Sequence, residues 1–418
     1  MSFSIVTGRT KFSRGLASRF AMALALAGGA VMGSAAVAPA AFAQENSRGF
    51  VAAYTPVAAL TTAATPDWAG ARAQFETLVA AIENEDDRNI AGNLALQIGS
   101  GLSDPVFQRR GLEMMLQSGK VAPAQLGQFN YFVGSLAFQA GDFAAARTAL
   151  QASIDAGYTE NDPRPLIMQS YFEQDQIPAA LDYMEMLISS GATLDENMFL
   201  VGLQKTYSAN LAAESLRAST MLVTAYPTSE NWKKSLQVMN ELAELDEQAQ
   251  LDLLRLMRTT GAMSQRQEYV RYIENADPRI MANEVLEVLA EGVAAGHFST
   301  NDGDNYYPEV KAIADTRAPA DRSEIETTVR EGQSGTALDA SVAGDVLYSL
   351  KDFARAETMY QLALEKGGDR DTALTRVGMA QVMQGKYAEA IATLGPVDGA
   401  RQPVASLWST WAKEKMGA

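Results

Sequence analysis

The chain of 418 residues sets 34 lysines and arginines against 50 aspartates and glutamates, a net charge of −16. A surface of that sign repels phosphate backbones, so nucleic acid is not an expected partner. Cysteine is absent, which removes disulfides, thiolate metal sites and cysteine nucleophiles, and the alanine-rich composition, 47% hydrophobic and only 8% aromatic, predicts packed helices in several domains or a repeat array.

Residues 1–43 read as a secretory signal peptide. Arg9, Lys11, Arg14 and Arg19 form a basic start without an acid, and Phe20 to Val37 is apolar. Ala41-Phe42-Ala43 then supplies the small residues a signal peptidase reads. Cleavage between Ala43 and Gln44 is expected, with the bacterial periplasm as destination. A retained anchor is the alternative, because the apolar stretch nearly reaches spanning length. No cysteine follows to carry a lipid, and no later segment is apolar enough to cross a membrane. Residues 44–66, rich in alanine, threonine and proline, show no sustained period and predict a flexible linker.

Residues 67–296 predict a helical array. Trp68 to Ile82, Asp87 to Ile98 and Pro105 to Gln117 open it, and the acids Glu85-Asp86-Asp87 read as a solvated helix end. A repeat then appears. A step of 34 residues maps Phe138 onto Phe172, Phe143 onto Ile177, Ala146 onto Ala180, Leu150 onto Met184 and Gly157 onto Gly191. The same step maps Gly344 onto Gly378, Phe353 onto Tyr387, Ala356 onto Ala390 and Tyr360 onto Leu394. Three turns share one pattern: Ala140-Gly141-Asp142-Phe143, Leu350-Lys351-Asp352-Phe353 and Gln384-Gly385-Lys386-Tyr387. Gly134 and Gly344 let a paired helix approach closely, Ala146 and Ala356 fill the tight crossing, and Asp142 and Asp352 suit a helix N-terminus.

In these residues the chain resembles the tetratricopeptide repeat (TPR) family. The resemblance implies an all-α, TPR-like α-solenoid of antiparallel helix pairs. It also implies protein partners, and no cofactor is expected.

The middle of the chain departs from the motif. The 34-residue step from Ala180 lands on Glu214, so the crossing alanine is lost or slipped by one. Met239 to Arg258, Gln265 to Asn275 and Arg279 to Ala294 keep helical spacing only. Residues 297–335 hold Asn301-Asp302-Gly303-Asp304-Asn305, Pro308 and Pro319. They predict an irregular connector, with a short helix between Pro308 and Thr316, and the boundary before a C-terminal TPR pair with a capping helix at 336–418. Trp408 and Trp411, one turn apart in the last helix, are expected to cover the end of the stack, with a docking patch as the alternative.

Chemistry is scarce. His297 is the single histidine, placed at an expected helix end, and cannot build a metal cluster or a triad. The Asn301–Asn305 loop puts glycine third and Ala312 twelfth, which does not fit a calcium loop. No nucleotide-binding glycine loop occurs. Glu214-Ser215 is the dipeptide found at the active site of soluble lytic transglycosylases, but Leu216-Arg217-Ala218-Ser219 does not continue that motif. No catalytic residue and no metal site is therefore expected.

In proteins similar to this one the first helix of each repeat lines a concave face. That implies Gln128, Tyr131, Ser135, Phe138, Gln139, Gln169, Phe172, Glu173, Asp345, Tyr348 and Arg376 as protein-binding candidates, the alternative being that the aromatics pack between repeats. Tyr131 and Ser135 stand where the family's carboxylate clamp needs lysine and asparagine, so a chaperone-tail ligand is not expected. The function expected is a non-catalytic periplasmic scaffold or adaptor in envelope assembly, secretion or polymer export. A cell-wall enzyme with a helical superhelix and a binder of a small envelope ligand are the alternatives.

Overall fold

Each repeat hairpin closes on the same turn. Past the first helix one residue takes a left-handed conformation: Gly141 at φ 75°, Asp175 at 55°, Asn210 at 56°, Lys351 at 61° and Gly385 at 76°. The next amide then donates back to the helix, as Asp142 N to Ala137 O at 2.9 Å, Gln176 N to Tyr171 O at 2.9 Å and Asp352 N to Leu347 O at 2.9 Å. This satisfies a carbonyl that the helix end would otherwise orphan. Asp142 and Asp352 then cap the second helix, accepting from the amides of Ala145 and Arg355.

The computed structural model describes residues 46–299 and 305–417. Among them every regular element is helical, and the fold is an all-α helical-repeat solenoid. The expected signal peptide and its Ala43-Gln44 junction lie outside the described residues, as does most of the Asn301–Asn305 turn. The chain divides into two compact units between Gln176 and Ile177, inside the expected 67–296 array rather than at 297.

The first unit holds α1 (Arg48–Thr62), α2 (Trp68–Ala80), α3 (Glu85–Gly101), α4 (Pro105–Gln117), α5 (Pro123–Gln139), α6 (Phe143–Asp155) and α7 (Arg164–Phe172). Each packs on the next. The flexible linker expected at 44–66 is instead largely helix. Phe50, Val57 and Thr61 form a buried stripe on α1, and Phe50 joins a core with Phe75, Leu78, Ile98 and Phe107. Asp87 is likewise not a solvated end. It is fully buried and accepts from Ser47 N, Asn46 Nδ2 and Glu83 N, each at 3.0 Å, which ties the start of α1 to α3. Burial pushes its carboxyl up, but these hydrogen bonds outweigh it and hold the pKa below the usual range.

Helices α3 and α4 touch backbone to backbone. A Cβ at Gly92 would meet Gly111 O at 2.7 Å, and one at Gly111 would meet Leu96 N at 2.5 Å. Backbone cannot swing aside, so Gly111→Ala is expected to destabilise the first unit by about 1–3 kcal/mol. A urea midpoint equal to that of the wild type would show that α3 and α4 can part without penalty.

The second unit holds α8 (Ile177–Ser189), α9 (Glu196–Ser208), α10 (Ala212–Ala225), α11 (Ser229–Leu242), α12 (Glu247–Thr259), α13 (Arg266–Ala276), α14 (Ala282–Ala294), α15 (Tyr306–Ser334), α16 (Ala337–Ser349), α17 (Phe353–Glu365), α18 (Arg370–Met383), α19 (Tyr387–Leu394), a 3-10 turn (Gly399–Arg401) and α20 (Gln402–Gly417). Ala356 and Ala390 are fully buried at their hairpin crossings, as Ala146 is in the first unit, and Ala180 on α8 is fully buried as well. In α10 that place belongs to Ser215, also fully buried. The left-handed residue moves from Asp175 to Asn210, one position further than the repeat step, so the crossing residue slips from Glu214 to Ser215.

The irregular connector expected at 297–335 is a correction as well. Residues 306–334 form one 29-residue helix. Pro308 sits in its first turn, where no intrahelical donor is lost. Pro319 is carried inside the helix, which buries Ala314, Ala318 and Val329 in the same core as Ala340, Ala343 and Met359. One apolar core therefore runs from Leu216 to Ala412. The final helix does more than terminate it: α20 packs back on α10 and α12 as well as on α18 and α19.

A buried charge cluster and the cleft beside it

Helices α12, α14, α16 and α18 turn a polar stripe toward one another. Asp252 and Arg255 come from α12, Glu284 from α14, Asp345 from α16, Arg376 from α18 and Arg401 from the 3-10 turn, and all six are at least nine-tenths buried. Arg255 grips Glu284 with two parallel bonds, Nε to Oε1 at 2.9 Å and Nη2 to Oε2 at 2.8 Å. Arg401 Nη1 reaches Asp252 Oδ2 at 2.7 Å, and Arg376 Nη1 reaches Asp345 Oδ2 at 3.0 Å. Tyr272 donates its hydroxyl to Glu284, and Tyr360 donates to Asp345 at 2.8 Å. Three acids and three arginines cancel, the condition under which buried charge is tolerated.

Electrostatics follows the geometry. Burial pushes the Asp252 carboxyl up, but Arg376, Arg401 and Arg255 outweigh it and hold the pKa below the usual range. Glu284 behaves alike under Arg255 and Tyr272. Burial and the Glu284 charge keep Tyr272 protonated far above its ordinary range. Carboxylates held ionised and a phenol held neutral suit cohesion better than proton transfer.

Against this cluster lie two adjoining hollows of about 430 and 310 Å³, which share Glu287, Ser349 and Lys351. The larger reaches down to Arg255, Tyr272, Glu284 and Tyr348. The smaller is bounded by Asn283, Leu286 and Ala290 of α14, Arg322 of α15, and Leu350 in the turn between α16 and α17. Arg258 Nη2 pairs with Glu287 and with Glu291, each at 2.7 Å, and Lys351 Nζ pairs with Glu287 at 2.8 Å. Arg322 is exposed and makes no ion pair among the described residues.

The concave-face candidates scatter across this structure. Tyr131, Ser135, Phe172, Asp345, Tyr348 and Arg376 are buried and cannot meet a partner in this arrangement. Tyr131 packs on Tyr158 with ring centroids 5.3 Å apart, and the Arg255 guanidinium lies 4.3 Å over the Tyr348 ring. Gln128 and Phe138 are half-buried, and Phe138 meets Phe143 edge-on at 5.3 Å. Only Gln139, Gln169 and Glu173 of the group are exposed. In the second unit the stripe facing inward has closed upon itself through charge pairs. Asn283 is buried beside the smaller hollow with its amide unpartnered, and in the sequence it reads as one more polar residue in the first turn of α14.

His297 packs on Tyr269, with ring centroids 5.2 Å apart and the planes tilted by 39°, just past the end of α14. Among the described residues no three histidines, cysteines or acids gather where a metal ion would be held, and no helix is long and apolar enough to cross a membrane.

The helices thus define a TPR-like helical-repeat protein. No family model matches the chain, and no curated protein matches it. Among solved structures, the C-terminal part of a TPR repeat-containing protein from Cytophaga hutchinsonii aligns at 14% identity. That match covers 78% of this chain and 99% of the other, with a TM-score of 0.28. A pentatricopeptide repeat protein from maize aligns at 16% identity over 88% of this chain, which spans 57% of the maize chain, with a TM-score of 0.32.

Proposed function

We propose that this protein is a non-catalytic scaffold of the bacterial periplasm that holds a protein partner of an envelope-assembly, secretion or polymer-export machine. The observation that carries the reading is the stacked-hairpin fold with a cleft on its surface. Such a stack offers extended surface, and its buried charged groups are already committed to one another. The basic, apolar and small-residue order of residues 1–43 supports export.

Glu214 has no part in this reading. It sits beside the hairpin-crossing Ser215, so the dipeptide is explained by packing. Glu214→Gln is expected to leave muropeptide release from purified cell wall unchanged, and a loss of release would establish the enzyme alternative. The scaffold reading is tested by crosslinking intact envelopes and identifying what is recovered with the chain, together with N-terminal sequencing. A mature start at Gln44 and reproducible protein partners are expected. A cytoplasmic chain with no crosslinked partner would overturn the proposal.

A further inference from the structure

We propose that α15 is a proton-sensitive strap, seated firmly on α14 and α16 when the Asp321 carboxyl is protonated and loosened when it is ionised. The helix is long but weakly anchored. Of its 29 residues it buries Ala314, Ala318, Asp321, Val329 and Gly332, none of them larger than valine or aspartate. Helix α12, with 13 residues, buries eight, four of them leucines. Val310 and Ile325 add only partial cover to α15. Pro319 also lacks the amide that would close on the Asp315 carbonyl. Elements with few buried apolar contacts are the ones that open locally.

Asp321 stands at the centre of the inward stripe formed by Ala314, Ala318, Ile325 and Val329. Its side chain is 1% exposed, and neither oxygen accepts a hydrogen bond among the described residues. Arg317, one turn earlier, comes within 2.6 Å, but its Nε makes no hydrogen bond and its side chain is 42% exposed, so water shares that cation. The neighbouring helices have already committed their charges. On α14, Glu284 faces Arg255, Glu287 faces Arg258 and Lys351, and Glu291 faces Arg258. On α16, Asp345 faces Arg376, and Asp339 accepts from Thr336. On α17, Arg355 takes Asp352 and Glu326, Glu357 takes Lys386, and the adjoining Lys366 donates to the carbonyls of Gly332, Gln333 and Gly335.

A desolvated carboxyl without hydrogen bonds favours its neutral form. Burial pushes the Asp321 carboxyl above its ordinary range, Arg317 offsets this only in part, and Glu324 adds to it. The folded chain therefore holds this proton more tightly than the unfolded one, the reverse of Asp252 and Glu284. The stabilisation is complete below the unfolded value of about 4 and is lost as pH rises through the raised folded value. Arg322, the next residue, walls the smaller hollow, so a loosened α15 opens that side of the cleft.

The test is hydrogen exchange of the full chain, read by mass spectrometry at about pH 5 and about pH 7.5 and corrected for the intrinsic rate at each. Peptides from residues 306–334 are expected to be about threefold or more better protected at the lower pH, with no such gain in α12. Asp321→Asn, and Asp321→Leu as a second variant, should hold α15 at one level of protection at both pH values. Arg317→Gln should widen the difference, because it removes the cation that favours the ionised form. A merely structural carboxylate would give no such local response. Equal protection of α15 at both pH values, a difference that persists in Asp321→Asn and Asp321→Leu, or a gain shared equally by α12 would each overturn the proposal.

Discussion

Asp252→Ala is expected to destabilise the second unit by about 3–5 kcal/mol, a large share of the 5–15 kcal/mol typical of a folded domain. Three guanidiniums lean on this carboxylate: Arg401 at 2.7 Å, Arg255 at 3.2 Å and Arg376 at 3.6 Å. Arg255 keeps Glu284 and Arg376 keeps Asp345 when Asp252 is gone. Arg401 keeps only Asp246, 3.6 Å away and largely exposed. The penalty is therefore a buried guanidinium without its partner, and the double variant Asp252→Ala/Arg401→Met should recover part of the loss. Tryptophan fluorescence in urea reads this directly, because Trp232, Trp408 and Trp411 lie in the second unit and only Trp68 lies elsewhere. A midpoint that falls with an unchanged slope is expected; an unmoved midpoint would mean that water takes the place of the carboxylate.

The same cluster gives stability a pH dependence of known sign. Asp252 and Glu284 of the cluster, and Asp87 in the first unit, all have folded-state pKa values below the ordinary carboxylate range. The unfolded chain therefore binds more protons than the folded one as acid is added. Their contribution is complete above the unfolded values of about 4 and is lost as pH falls through the folded ones. Tm should be flat near neutrality and drop steeply in acid. In Asp252→Ala the acid drop should be shallower, since one of the depressed groups is gone.

Parts of this structure were legible in the sequence because they repeat. The 34-residue step placed the turns at Gly141, Lys351 and Gly385 and the crossings at Ala146, Ala356 and Ala390, since each must meet the same steric demand in its hairpin. Two segments misled for one reason: composition outweighed periodicity. In α1 the alanines, threonines and Pro56 suggested a linker, although Phe50, Tyr54, Val57 and Thr61 already mark a helical face. In α15 two prolines read as breaks, but one lies in the permissive first turn and the other is carried by a long buried stripe. The interaction surface was least legible. The family resemblance placed Asp345, Tyr348 and Arg376 on an open face, and the buried charges that close it come from residues as far apart as Asp252 and Arg401. No local pattern announces such a pairing.

Trp408→Ala is expected to cost about 3–5 kcal/mol, comparable to the loss of Asp252, because α20 is an internal element as well as an end cap. Trp408 is fully buried, and its Nε1 donates to Asp252 O at 2.9 Å, so the last helix is fastened to α12. One turn later Trp411 meets Trp232 of α11 edge-on at 5.4 Å, and Trp232 Nε1 donates to Glu414 at 2.7 Å. Trp411 is only half-buried, with Lys415 lying 3.9 Å over its ring. Area removed from water sets the order of effects, so Trp411→Ala should shift the urea midpoint less than Trp408→Ala. A plain cap would lose only the turns next to it. Here truncation after Arg401 should also raise hydrogen exchange in α10 and α12, which lie far back in the chain yet pack directly on α20. Exchange confined to α18 and α19 would show that the helix covers an end and holds nothing further together.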